Sequence, residues 1–239
     1  MRFGFIRLTL IAFLHLDAAA QTLTLTTEDY PPFDIVDTQT GQFSGISTDK
    51  VLELMRRTGE KFTLNAYPWA RSFQMARSDA NTCVFSTTRT PEREQMFKWV
   101  GPLAKINWMI FGRAGDKRRP KKIEDLRPYV MGTYRNDAVG EFLVAKGFKT
   151  DLANSDGDNP RKLMYERFDF WATEELHGIA MLKTQNLSDK IIPLFPFNQE
   201  KMYLACNLGI AQKRINRLNL ALKEMERDNT AATIEKKYK

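Results

Sequence analysis

A chain of 239 residues, 43% hydrophobic and 27% charged, holds enough apolar material for one large or two small cores and is too apolar to stay disordered. Its formal net charge of +7 is basic, yet the densest run, Lys117-Arg118-Arg119-Pro120-Lys121-Lys122, sits between Asp116 and Glu124-Asp125 in the manner of a solvated loop, so charge does not argue for a nucleic-acid partner. Two cysteines, with His177 the one histidine beyond the first twenty residues, exclude a zinc site of the Cys/His kind.

Met1 to Arg7 is basic, Leu8 to Leu16 apolar, and Ala18-Ala19-Ala20 small, the three-part order of a signal peptide. Residues 1–20 are read as that peptide, cleaved after Ala20. No cysteine follows the junction to carry a lipid, and the apolar run is too short to span a bilayer, so a free periplasmic protein is expected. In that oxidising compartment Cys83 and Cys206, both in apolar strand-like runs, either form one disulfide, if the fold joins those strands, or remain two buried thiols.

Leu23-Thr24-Leu25-Thr26-Thr27 alternates apolar and polar residues, as a strand does, and stops at Tyr30-Pro31-Pro32-Phe33. Tyr30 and Phe33 are thereby displayed beyond a strand's C-terminal end, the usual ligand position in open α/β sheets; core packing is the competing reading, level with the ligand reading for Tyr30 and ahead of it for Phe33. A helix follows Gly45 and ends at Gly59, and Phe62 to Tyr67 is the next strand. Pro68 opens a second helix with Trp69, Phe73 and Ala76 on its core stripe; Arg71 falls on another face, a candidate ligand contact or a surface ion-pair partner.

Thr82 to Ser86 reads as a strand feeding Thr87-Thr88-Arg89-Thr90-Pro91-Glu92-Arg93. Thr90 is placed to cap a short helix with Pro91 at its first position, which would set Thr88, free backbone N–H groups and the Arg93 guanidinium around a carboxylate. A capped surface helix whose Arg93 pairs with Glu92 or Glu94 is the competing reading.

After a strand over Ala104 to Gly112 a second α/β pattern begins. Tyr129 to Thr133 is a strand, Asn136-Asp137 belong to a polar turn before a helix, a further helix follows Asn159-Pro160, and Phe168 to Thr173 is a strand leading to Glu174. Glu174 is placed either to hold an ammonium group or to stabilise the helix behind it. Ile191 to Phe197 crosses back, Met202 to Asn207 is a strand, and Ile215, Leu218, Leu222 and Met225 line a long helix. The expected fold class is α/β, in two lobes joined by two crossing strands: 21–107 plus 202–239, and 108–201. A cleft between them is the natural place for a small ligand.

In this order and spacing, Tyr30-Pro31-Pro32-Phe33, Gly45 with Asp49, Thr90-Pro91-Glu92-Arg93, Trp99-Val100-Gly101-Pro102, Arg167-Phe168-Asp169 and the terminal helices over Leu222 to Tyr238 resemble the bacterial extracellular solute-binding proteins of the polar amino-acid type (family 3), which serve ABC importers. The resemblance covers essentially the whole mature chain and implies the type II periplasmic-binding-protein fold. It implies Arg93 and Thr88 at a ligand α-carboxylate, Tyr30 as an aromatic lid, and Asn136-Asp137 as the second-lobe turn meeting that carboxylate. Glu174 stands where the family usually has an aspartate for the α-amine, Ser47 where aspartate is usual and Arg89 where an apolar residue is, departures that point away from a standard amino acid. It also implies that Cys83 and Cys206 lie on neighbouring strands and pair.

The function expected is capture of a small carboxylate-bearing solute for a membrane permease, by a monomer with no cofactor and no enzymatic step. A dehydratase of the cyclohexadienyl type on the same scaffold, with Glu174 as acid, and a ligand-sensing subunit for a membrane receptor are the alternatives. No paired nucleophile and base argues for the enzyme.

Overall fold

A computed structural model describes residues 21–238. The signal-peptide reading therefore lies outside the described residues. In chain order the elements are β1 (Leu23–Thr27), β2 (Ile35–Val36), β3 (Phe43–Ser44), α1 (Ile46–Thr58), β4 (Phe62–Ala66), α2 (Trp69–Ser78), β5 (Thr82–Thr88), β6 (Lys98–Arg113), β7 (Val130–Tyr134), α3 (Ala138–Ala145), β8 (Lys149–Ala153), α4 (Asn159–Met164), β9 (Phe170–Glu174), α5 (Glu175–Thr184), β10 (Ile191–Cys206), α6 (Gln212–Arg227) and α7 (Thr230–Lys236).

Eight strands form one mixed sheet in the order β4-β1-β5-β10-β6-β9-β7-β8. β4, β1 and β5 are parallel at one end, as are β9, β7 and β8 at the other. Between them run β6 and β10, an antiparallel pair of 16 residues each, about 50 Å at the rise of an extended chain. The sequence reading placed two separate short strands over 191–207. They are one strand, because the turn residues Pro193, Pro196 and Asn198 sit at register shifts of the ladder, where a missing or unpaired N–H is tolerated.

Period-2 alternation divides the core. On β5, Cys83 and Phe85 face α1 and α6, packing with Leu23, Leu25, Val51, Leu54 and Leu218, while Val84 faces α2 with Trp69, Phe73 and Ala76. At the other end Phe111 and Trp171 pack with Leu163 and Leu182 of α4 and α5, and Trp108, Ile110, Phe170 and Ala172 pack with Leu143 of α3. Cys83 and Cys206 are register partners of β5 and β10 and form a disulfide.

Gly45 fixes how α1 meets the Tyr30–Asp34 loop. Its φ is 125°, and a Cβ there would stand 2.3 Å from the Phe33 carbonyl oxygen. With only hydrogens in that space, Ile46 N–H and Ser47 N–H donate to the Pro32 and Phe33 carbonyls at 3.0 Å. The loop is thus pinned to the helix start, and the Tyr238 hydroxyl closes the junction by donating to Asp49 and accepting from Gly45 N–H, each at 2.9 Å.

Candidate functional site

The sheet's two parallel ends point strand termini at each other across β6 and β10. From the first come Glu28 and Tyr30 after β1, Trp69 at the start of α2, Ser86 and Thr88 on β5, and Arg93. From the second come Trp108 of β6, Tyr134 ending β7, Asp137 capping α3 and Glu174 ending β9. Free space between them is about 10 Å³, room for about one water, so the cleft is shut on its own side chains.

The expected helix after Thr90 is absent: only a single 3-10 turn, Glu94–Met96, forms, and its N-cap is Arg93 without a side-chain cap. Three residues of turn before it, over 91–93, leave Thr90 no helix to cap. Arg89 and Glu94 form a bidentate pair at 2.5 and 2.7 Å, with the Arg89 guanidinium over the Trp99 and Tyr203 rings, which accounts for Arg89 outside the cavity. Ser86 takes φ 55°, at the point where β5 opposes β10 with an extra residue; that bulge turns Thr87 and Thr88 relative to the residues before them.

Arg93 is 1% exposed and pairs with neither Glu92 nor Glu94. Its Nε donates to Glu141 at 2.9 Å, one terminal nitrogen to the Asn136 carbonyl at 2.8 Å and the other to the Thr88 carbonyl at 3.4 Å, with the guanidinium carbon 4.8 Å from the centre of the Phe73 ring. Trp69 Nε1–H donates to the same Asn136 carbonyl at 2.6 Å. That carbonyl is available to both because Asn136 sits in the left-handed region at φ 58°, which asparagine tolerates. Two further contacts join the halves: Tyr134 Oη–H to Glu28 at 3.0 Å, and His177, whose ring lies 3.7 Å from the Tyr30 ring at 11° with Nδ1 2.9 Å from the Pro31 carbonyl.

Carboxyl groups outnumber the guanidinium in this space. Burial raises Asp34 to about 7, although Thr27 and Thr48 donate hydroxyl hydrogens to it, and raises Glu174 to about 7, although His177 N–H donates to it at 2.7 Å. Asp137 is raised to about 6 by burial, against the pull of Arg93, and Glu28 stands well above the usual carboxylate range because burial outweighs the Tyr134 hydrogen bond. The shut cleft therefore favours protons on its acids.

Of the residues singled out from the sequence, Tyr30, Thr88, Arg93, Asp137 and Glu174 line this cavity. Asn136 takes part through its backbone carbonyl. Asp137 and Glu174 are also helix N-caps, accepting from Val139 N–H and His177 N–H. Arg71 is exposed, its guanidinium carbon lies 4.1 Å from the centre of the Tyr67 ring, and it is not among the residues lining this cavity, because the stripe that seats Trp69 and Phe73 turns it outward. Sequence reasoning passed over Glu28, Asp34, Glu141 and Tyr134; Trp69, read as core, is core at 5% exposure and lines the cavity as well. Glu28 and Asp34 had one legible signal, their place in the loop that displays Tyr30; Glu141 had none.

A mixed α/β sheet whose two halves are crossed by two long strands, with a cavity at their junction, is the type II periplasmic-binding-protein fold. The chain belongs to the bacterial extracellular solute-binding proteins, family 3, whose profile matches residues 23–239. Among curated proteins it is similar to the L-cystine-binding protein TcyA of Bacillus subtilis, at 21% identity over 217 residues (90% of this chain, 80% of that protein). It is also similar to the putative ABC transporter arginine-binding protein 2 of Escherichia coli, at 24% over 241 residues (96% of each). Among solved structures, a histidine kinase sensor domain with similarity to periplasmic binding proteins superposes with a TM-score of 0.85 at 18% identity, covering 91% of this chain and 96% of that one. The ancestral amino acid-binding protein AncCDT-1, a precursor of cyclohexadienyl dehydratase, gives 0.77 at 20%, covering 91% and 95%. Among the described residues no helix is long and apolar enough to cross a membrane.

Proposed function

We propose that this protein captures a small carboxylate-bearing solute, an amino acid or a close relative, between lobes 21–107 plus 202–239 and 108–201, and delivers it unchanged to an ABC importer from the periplasm. The observation that carries the reading is Arg93: a guanidinium 1% exposed, lining the cavity at the junction of the halves, with the Glu174 carboxyl in the same cavity. That is the polarity a zwitterion needs, a planar fork for the carboxylate and an acid for the ammonium. The partner Arg93 holds meanwhile, Glu141, is 45% exposed on its side chain and returns to water at little cost when a ligand carboxylate takes its place.

Binding then follows from parting the halves about the long β6–β10 pair and closing them on ligand. The ligand gains contacts on both sides only in the closed state, which shifts the population toward it. The names of the two curated relatives, one for cystine and one for arginine, support an amino-acid ligand. A thermal-shift screen of amino acids and related acids identifies the ligand by a raised melting temperature. Arg93→Ala should then weaken it by about 2–4 kcal/mol in calorimetry. An unaltered affinity removes Arg93 from the site, and chemical conversion of the recovered ligand would place the chain with an enzyme instead.

A further inference from the structure

The run Lys117-Arg118-Arg119-Pro120-Lys121-Lys122 lies on the surface, as a solvated loop does, but it is tied down. The Arg118 guanidinium donates to Asp116 and to Asp169 at 2.6 Å each, and its carbon stands 4.8 and 5.0 Å from the centres of the Tyr129 and Phe170 rings. Asp125 holds the far end of the run, accepting from Lys121 N–H at 3.0 Å. Tyr129 and Asp169 come immediately before β7 and β9, whereas Tyr134 and Glu174, at the other ends of those strands, line the cavity. The run is therefore laid across the end of its half that is opposite the cleft.

Other exposed bases gather at that end. Arg127, just before β7, donates to the Lys146 carbonyl at 3.3 Å, Lys149 opens β8, Arg167 precedes β9, and the Lys190 carbonyl accepts from Ala114 N–H at the tip of β6. Asp116 is taken up by Arg113 and Arg118, and Asp169 by Arg118. Lys117, Arg119, Lys121 and Lys122 have no carboxylate within ion-pair distance among the described residues, and the exposed acids at this end, Glu124, Asp125, Glu166 and Asp189, are outnumbered by the bases. At the cleft end of the same half the sign reverses: Asp137, Glu141, Asp156, Asp158, Glu174 and Glu175 stand against Arg135. This half is polarised along its strands.

Bases at helix C-termini offset the helix dipole, which accounts for Lys146 after α3 and Arg167 after α4. It does not account for Lys121 and Lys122, which precede the 3-10 turn Ile123–Leu126, at the end where positive charge is disfavoured. Tyr165, between α4 and Arg167, is 78% exposed, more than any other large apolar side chain among the described residues. Unpaired cations on long stems with an aromatic side chain standing out among them suit a phospholipid headgroup layer, the cations for its phosphates and the phenol for its boundary with the acyl chains.

We propose that the end of the 108–201 lobe remote from the cleft docks on an anionic phospholipid surface through Lys117, Arg119, Lys121 and Lys122, with Tyr165 at the level of the headgroups. The bases come from several segments and form no single fork, so they read a charged plane and not one phosphate. Docking by this end holds the cleft away from the bilayer and leaves it accessible to solute.

Co-sedimentation of the mature protein with vesicles tests this. Phosphatidylcholine vesicles containing about a third phosphatidylglycerol should retain the protein at low salt and release it as salt is raised, and vesicles of phosphatidylcholine alone should not retain it. Lys117→Gln, Lys121→Gln and Lys122→Gln combined should weaken partitioning on the order of a hundredfold, about fivefold for each base. A control of equal net charge, Lys213→Gln, Lys223→Gln and Lys236→Gln on α6 and α7 of the other lobe, should stay within about twofold of the parent. No binding to the anionic vesicles, or equal losses in the two triple variants, would overturn the proposal. So would release by free glycerol phosphate at matched ionic strength, which would make this a site for a single phosphate, or retention on duplex DNA with none on vesicles, which would make the partner a soluble polyanion.

Discussion

Asp34 offers a direct test of how the cleft is held. It is fully buried, its two oxygens accept from the Thr27 and Thr48 hydroxyls at 2.9 and 3.0 Å, and no ion pair reaches it among the described residues. Burial places its carboxyl at about 7, against 3.8 for the free side chain. Between those values the folded protein holds a proton that the unfolded chain has released, so stability is highest below the unfolded value and falls as pH rises through the folded one. Three pH units correspond to about 4 kcal/mol of stability given up by pH 8. Asp34→Asn keeps the shape and removes the charge. Allowing about 1–2 kcal/mol for imperfect amide hydrogen bonds, the variant should be more stable than the parent by about 2–3 kcal/mol at pH 8 and no more stable at pH 5. Urea denaturation followed by tryptophan fluorescence, from pH 4.5 to 8.5 at fixed ionic strength, measures the difference. Asp137 and Glu174, also raised, are common to both proteins and cancel, and Glu53 and Asp228, lowered to about 2, stay ionised across this range. Parallel curves for parent and variant would refute the reasoning.

Trp69→Phe removes the indole N–H from the Asn136 carbonyl while keeping an aromatic ring in the core stripe; losing about 1 kcal/mol of closure should raise the open population about fivefold. Distances between spin labels on the two halves read that population, and an unchanged distribution would exclude Trp69 as a latch. Replacing Cys83 and Cys206 together by serine frees a loop whose ends are 123 residues apart, worth about 5 kcal/mol on the chain-entropy scale. Urea titration of the oxidised parent and the double variant should show that loss, and equal midpoints would show that the bond constrains nothing.

Alternating β patterns, helix stripes and Pro/Gly punctuation are local properties, and they carried the element order, the out-and-back path of the chain and the display of Tyr30 after β1. Of the two readings open for Phe33, core is the favoured one, and it is 1% exposed. The same locality explains the failures. Thr90-Pro91-Glu92 has every cue of a helix start, but the chain must deliver Trp99 to the sheet, and only a 3-10 turn fits before it. The stretch between Phe197 and Met202 reads as a break between two strands, and the bulged ladder with β6 runs through it as one strand.

What an individual charged side chain does was settled by partners distant in sequence. Arg93 and Glu141 are 48 residues apart, Tyr134 and Glu28 106, and His177 and Pro31 146, so no window along the chain brings them together. The sequence determined which residues end strands and start helices, and hence which chemistry arrives at the junction of the halves. Tertiary structure alone decided that Arg93 is buried and Arg71 outside, and that His177 Nε2 stands 3.4 Å from Asp156. Pairing across a cleft is a matter of distance in space, and burial, which sets the charge of each carboxyl, is a property of everything packed around it.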